Sequence, residues 1–199
     1  MAYPRVLEQV IEQLSRWPSV GPKTAERFAF YLLKQKPETI RDLADSFLAL
    51  QSKLTRCERC RDITVENPCA ICRDANRNQA LLCVVADSRD LLAIEETKQY
   101  KGLYHVLNGT ISAINSASRD QLSINELLSR LRAGTIEEII LAFNPDIEGE
   151  TTALYLLKIM TGINIKISRL ARGLPAGASL DYADPMTLSH ALNYRNHIK

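Results

Sequence analysis

The 199-residue chain lacks any apolar stretch approaching the roughly 20 residues that cross a bilayer. It also lacks a Gly-x4-Gly-Lys-Ser/Thr loop, so an ATPase reading has no phosphate cradle. Glu8, Gln9, Glu12 and Gln13 interrupt any apolar run near the first residue. That pattern predicts no secretory leader and places the chain in the reducing cytosol. Histidine is scarce: His105, His190 and His197 have no evident ligand partner nearby in sequence and read as surface or packing residues. Net charge is nearly absent at +2. It is unevenly spread, however, with six basic against three acidic residues over 1–36, seven against eleven over 80–165, and five against two over 166–199. Positive charge therefore gathers toward the two ends, a distribution compatible with a polyanionic partner.

Cysteine is present in a particular arrangement. Cys57-x2-Cys60-x8-Cys69-x2-Cys72 sets two CxxC pairs a short loop apart. Buried thiols or disulfides are the plainer alternative, but disulfides need an oxidising compartment. Four soft thiolates at tetrahedral reach suit one zinc ion with no open coordination position, which makes the site structural. The fifth cysteine, Cys83, lies in the apolar run Leu81–Val85 and is expected inside a strand.

Before the cysteines, Leu7, Val10, Ile11 and Leu14 recur at helical spacing. A turn, Trp17 to Gly21, leads into a second helix opening at Pro22, with Ala25, Phe28, Ala29 and Leu32 as its expected buried stripe and Pro37 as its end. Ile40, Leu43, Ala44, Phe47 and Leu54 mark a third helix. The turn resembles the helix-hairpin-helix motif, with Ser19 at the first glycine position of that motif and Gly21 at the second. Free backbone N–H groups at a helix start can hold a phosphate without reading bases. Gly21 would permit close approach, and Lys23 and Arg27, four apart, share a helix face that could extend the contact. The alternative use of such a hairpin is packing or dimerisation, and both uses can coexist.

After the cysteines, 74–79 reads as a polar loop, and strands and helices then alternate. Strands are expected at 81–85, 103–107, 138–143 and 163–170, with helices near 91–95, 125–132 and 152–160 and a long polar loop over 108–120. Alternation predicts a largely parallel sheet whose functional loops sit at the carboxyl ends of strands. One such loop, Asn144-Pro145-Asp146-Ile147-Glu148-Gly149-Glu150, resembles the acidic motif of Toprim domains. In that family an Asp-x-Asp pair joins a strand-one Glu to hold a divalent cation. Here the corresponding positions are Asn144 and Ala86, with Asp87 one residue on and expected to face the opposite side by strand alternation. Asp146 and Glu148 alone would hold Mg²⁺ weakly at most, so a non-catalytic scaffold is expected.

The order of helix-hairpin-helix, four-cysteine finger, Toprim segment and short tail resembles the bacterial RecR recombination-repair family over essentially the whole chain. The segments carrying it are Pro18 to Ala25, the cysteine set, Cys83–Val85 with Asp90–Glu95, Asn144–Glu150, Arg169–Gly177 and Thr187–Leu192. The fold class expected is α+β and multi-module: a helical domain (1–55), a zinc finger (56–79), an α/β Toprim domain with a mostly parallel sheet (80–175) and a C-terminal assembly segment (176–199). The resemblance implies a non-enzymatic, DNA-binding mediator acting with RecO and RecF to load RecA on gapped DNA coated by single-strand-binding protein. It further implies a homotetrameric ring assembled through both ends of the chain. Lys23 and Arg27, with Gly21, fall at the DNA-facing positions, and Cys57, Cys60, Cys69 and Cys72 fall at the zinc ligands. Asp146 and Glu148, extended to Glu150, fall on the face turned toward RecO. The loop 108–118 lacks the family's Ser-Pro and Gly-x-Gly-Pro stretches. The alternatives are a Toprim-type nuclease or primase-like enzyme, and a zinc-stabilised interaction module without DNA contact.

Overall fold

The computed structural model describes residues 3–111 and 122–195. The chain divides into two compact units, Met1–Leu54 and Thr55–Lys199. No helix among the described residues is long and apolar enough to cross a membrane.

The first unit consists of α1 (Arg5–Ser15), α2 (Pro22–Leu32) and α3 (Pro37–Lys53). The helical spacing of Leu7, Val10, Ile11 and Leu14 gives α1 an apolar stripe, and α1 packs on α2. Pro22 and Pro37 both occupy first helical turns, where the missing N–H costs nothing. Pro37 thus opens α3 rather than closing α2. The second helix has already stopped at Leu32, where the N–H groups of Leu33, Lys34 and Gln35 fold back onto Ala29, Tyr31 and Leu32. The apolar stripe expected on α2 is only half realised: Ala25 and Ala29 are buried, whereas Phe28 is 42% exposed. Three helices in so short a unit enclose little volume, and neither α1 nor α3 buries any residue fully. Val6, Leu33, Leu48 and Leu50 stay exposed. An apolar groove of about 540 Å³ runs among Leu7, Val10, Leu32, Leu43 and Phe47.

The second unit begins with the cysteine knuckle: an antiparallel pair, β1 (Thr55–Arg56) and β2 (Ile63–Thr64), followed by the short α4 (Ala70–Arg73). A four-stranded parallel sheet follows in the order β4-β3-β5-β6, formed by β3 (Asn78–Val85), β4 (Gly102–Val106), β5 (Glu138–Ala142) and β6 (Lys166–Arg169). Its helices are α5 (Ser88–Glu96), α6 (Ile124–Arg132) and α7 (Ile147–Ile159), and α8 (Pro185–Asn193) lies in the tail. Strand alternation divides β3 between two cores. Leu82 and Val84 join Leu127, Ile139 and Leu156 on one face; Cys83 and Val85 join Leu91, Tyr104 and Val106 on the other. Burial on both faces explains the continuous apolar runs of a parallel sheet. Two strands differ from the sequence reading by more than one residue. Asn78 and Gln79 extend β3 backward, because the Asn78 N–H bonds Lys101 O beside β4. The last strand is only four residues, Lys166–Arg169, since it pairs on one side alone. Of the expected loop 108–120, residues 112–120 lie outside the described residues, as does His197.

Candidate functional site

Three places carry the residues singled out by the sequence. In the knuckle, the Sγ atoms of Cys57, Cys60, Cys69 and Cys72 all lie within 4.8 Å of one another, and all four residues are buried. Local backbone geometry brings them together. After Cys60 the chain turns sharply through Arg61 at φ 66°, so that Arg61 N bonds Cys57 O and Cys57 N bonds Asp62 O. The Asn67 side chain accepts from Glu58 N at 2.9 Å and ties the second pair to the first. All five cysteines are free thiols, so the disulfide alternative falls away. Crowding makes the thiols unequal. Cys60 is pushed up by its sulfur contact with Cys69, then by Cys72 and burial, while Cys69 is held down by the same contacts from Cys60 and Cys72. Zinc fits this donor set. Sulfurs about 2.3 Å from a tetrahedral ion stand about 3.8 Å apart, compatible with the observed clustering, and among the described residues no other His, Cys, Asp or Glu joins the cluster.

In the first unit, the turn between α1 and α2 places Ser19 at φ 64°, in the left-handed region, where the helix-hairpin-helix pattern has glycine. Gly21 is the N-cap of α2 in ordinary extended conformation (φ −82°), and a Cβ there would meet nothing within 4 Å. Its value is therefore openness rather than conformational freedom. No side chain caps the first turn of α2, which leaves backbone N–H groups at a positive helix end. Lys23 is 95% exposed and reaches Glu26 only at 3.5 Å. Arg27 is exposed and, among the described residues, makes no hydrogen bond or ion pair.

At the carboxyl ends of β3 and β5 a cavity of about 510 Å³ is lined by Ala86, Asp87, Arg89, Asp90, Gly109, Thr110, Asn144, Asp146 and Glu148. Asp87 belongs to this cavity, which corrects the expectation from strand alternation. The strand ends at Val85, and Asp87 is the N-cap of α5, accepting from Arg89 N and Asp90 N in a capping box. The Arg89 side chain bonds the Asp87 carboxylate at 2.5 Å and holds it below the usual carboxylate range. Asp146 caps α7 through Gly149 N at 2.7 Å, and Glu148 accepts from the Thr110 hydroxyl at 2.8 Å. Glu150 stands apart from this lining and is claimed by two guanidinium groups, Arg169 at 2.8 Å and Arg172. Among the described residues, the cysteines alone form a group of three or more metal-capable side chains within reach of one point. The carboxylates cap helices and pair with neighbours instead of converging on one.

Sequence reasoning missed three contributors. A Cβ on Gly149 would collide with Asn144 O, so this loop demands glycine there. Arg89 supplies a cation beside the acidic cavity; its signal was the Asp87-x-x-Asp90 capping pattern. Arg130, on α6, reaches the knuckle, with nothing in the local sequence to announce it. The basic C-terminal end, 166–199, is largely paired where described: Lys166 pairs with Glu138, and Arg169 and Arg172 with Glu150.

Comparison with known proteins gives four family models in chain order. Residues 7–50 match the RecR helix-hairpin-helix, residues 54–74 the RecR four-cysteine zinc finger domain, residues 80–171 the Toprim domain, and residues 173–196 the RecR C-terminal segment. The chain is similar to the Recombination protein RecR of Moorella thermoacetica, 46% identical with 100% of each chain covered. It is also similar to those of Desulforudis audaxviator, 45% identical with 100% of each covered, and Pelotomaculum thermopropionicum, 47% identical over 99% of this chain and 98% of the relative. Since the helical unit, the cysteine knuckle, the parallel sheet and the tail all match in sequence and in order, the chain belongs to the RecR family.

Proposed function

We propose that the protein is a non-enzymatic mediator of recombinational DNA repair. It binds DNA without reading sequence and acts with RecO and RecF to promote RecA loading on gapped DNA coated by single-strand-binding protein. The observation that carries this reading is the uncapped first turn of α2, with an open Gly21 N-cap, the exposed Lys23 only loosely paired with Glu26 at 3.5 Å, and Arg27, unpaired among the described residues, one turn on. The absence of enzymatic activity is supported by the dispersal of Asp87, Asp146 and Glu148 into caps and hydrogen bonds, with Arg89 among them. Weak Mg²⁺ contact is not expected to matter.

One structural zinc ion per chain is held by Cys57, Cys60, Cys69 and Cys72, in the reducing bacterial cytosol near the nucleoid. The exposed apolar surface of the first unit supports homo-oligomerisation, with a tetrameric ring as the assembly. The functional modules remain 1–55, 56–79, 80–175 and 176–199. The acidic face toward RecO centres on Asp146 and Glu148; Glu150, already held by two arginines, contributes less free charge. Reconstitution tests the reading: with RecO present, the protein should accelerate RecA filament formation on gapped, coated DNA, and Glu148→Lys should weaken RecO binding while keeping fold and zinc. Mg²⁺-dependent nicking or primer synthesis that co-purifies with the protein and vanishes in Asp146→Ala would favour the enzyme instead.

A further inference from the structure

Arg130 lies on α6 and is half-buried. Its Nη1 donates to Tyr104 O on β4 at 2.6 Å and to Arg59 O, inside the first CxxC turn, at 3.4 Å. It lines the same cleft as Cys72. Among the described residues it forms no ion pair with any carboxylate, and that is unusual for a cation so placed. The other arginines near the knuckle are differently occupied: Arg61 faces Glu126 at 3.6 Å, Arg73 pairs with Glu66, and Arg59 and Arg56 are exposed and bond backbone carbonyls. Burial pulls the Arg130 guanidinium down, and Cys72, Cys60 and Cys57 push it back up by direct attraction. Glu58 and Glu126 line that cleft too but do not pair with Arg130, and its bond into the first CxxC turn sets the guanidinium beside the cysteine cluster.

A doubly positive ion among four singly negative thiolates leaves a net negative cluster, and burial makes that charge costly unless a cation or N–H donors compensate it. One such donor is Cys69 N, 3.3 Å from Cys57 Sγ. We propose that Arg130 is a positioning residue for the zinc site: its charge balances the tetrathiolate, and its Nη1 ties the first CxxC turn to the β4 edge of the Toprim sheet. The inference rests on zinc being the resident ion of the knuckle and adds a partner from another module. Because Arg130 also bonds Tyr104 O, metal loss would be felt at β4 as well as at the cysteines.

The test is zinc competition against a chromophoric chelator on the full-length zinc-loaded protein, comparing wild type with Arg130→Gln, Arg130→Lys and, as control, Arg132→Gln. Arg132 lies on the same helix and is exposed, and its replacement removes the same charge. Arg130→Gln should weaken zinc affinity about 10- to 100-fold, the usual effect of removing a group that supports metal ligands. Arg130→Lys should stay near wild type, because it keeps the charge, and Arg132→Gln should match wild type. A purely packing role would leave Lys and Gln equally impaired, since both lose the planar guanidinium. Should Arg130→Gln fail to fold, retention of zinc by Arg130→Lys supports the inference and its loss overturns it. Wild-type affinity in Arg130→Gln, or equal loss in both variants, overturns the charge role. A wild-type protein that binds no zinc overturns the zinc assignment and this inference together.

Discussion

Ser19 holds a left-handed backbone, at φ 64°, that glycine would adopt without steric cost. A non-glycine residue there costs roughly 1–2 kcal/mol, and glycine returns part of that through a freer unfolded chain. Ser19→Gly should therefore raise stability by about 0.5–1 kcal/mol, read as a shift of the urea midpoint; a lower midpoint would contradict the strain account. Gly21 behaves differently. Its φ is ordinary and a Cβ would meet nothing, so Gly21→Ala should leave the midpoint within about 0.5 kcal/mol and weaken DNA binding by occupying the approach to the helix start. Unchanged DNA affinity would argue that no phosphate comes so close. His105 is buried, with Nε2–H donating to Ser123 O at 2.7 Å, and burial pulls its pKa down to about 4. The unfolded chain, with a histidine near 6.5, binds more protons between those values, so stability falls as pH drops from about 6.5 toward 4. The contribution is at most about 3 kcal/mol. His105→Asn should flatten the stability–pH profile over that window relative to wild type. Thiolate protonation acts on both proteins and cancels in the difference; parallel profiles would count against it.

At the scale of elements, the knuckle closes one edge of the sheet. β4 is an edge strand, and its Val106 N–H donates to Cys60 O at 2.8 Å. Edge strands need such cover. Stripping zinc with a chelator, or replacing Cys57 with Ala, should release that carbonyl, leave a backbone donor unpaired at a cost of about 1–3 kcal/mol, and speed amide exchange at Val106. Amides of the central β5 should stay protected. Unchanged exchange at Val106 would separate the knuckle from the sheet. The sequence made the elements legible wherever pattern is local: the CxxC spacing, Pro22 at a helix start, the apolar run around Cys83. It failed where tertiary context decides. Alternation placed Asp87 on the wrong side because the strand ends one residue before Ala86 and a capping box takes over. Phe28 reads as core by helical period, yet so small a helical unit cannot enclose it. Arg130 could not be found, since its contacts lie 26 and 71 residues away in the chain.

The whole molecule joins a helical unit with an uncapped α2 start, a knuckle of four clustered cysteines and a Toprim sheet at whose edge Asp87 and Asp146 cap helices. The central claim is that DNA is gripped by charge at α2. Binding should be nearly independent of sequence and should weaken steeply with salt. The measurement is the slope of log affinity against log salt for wild type, Lys23→Glu, Arg27→Glu and the double variant, with oligomer mass read in the same samples. Each lost phosphate contact should flatten the slope by about 0.7–0.9, multiplied by the number of subunits touching DNA, and the double change should abolish binding at moderate salt. An intact oligomer of the double variant that binds DNA with an unaltered slope would contradict the account and move the DNA path away from α2.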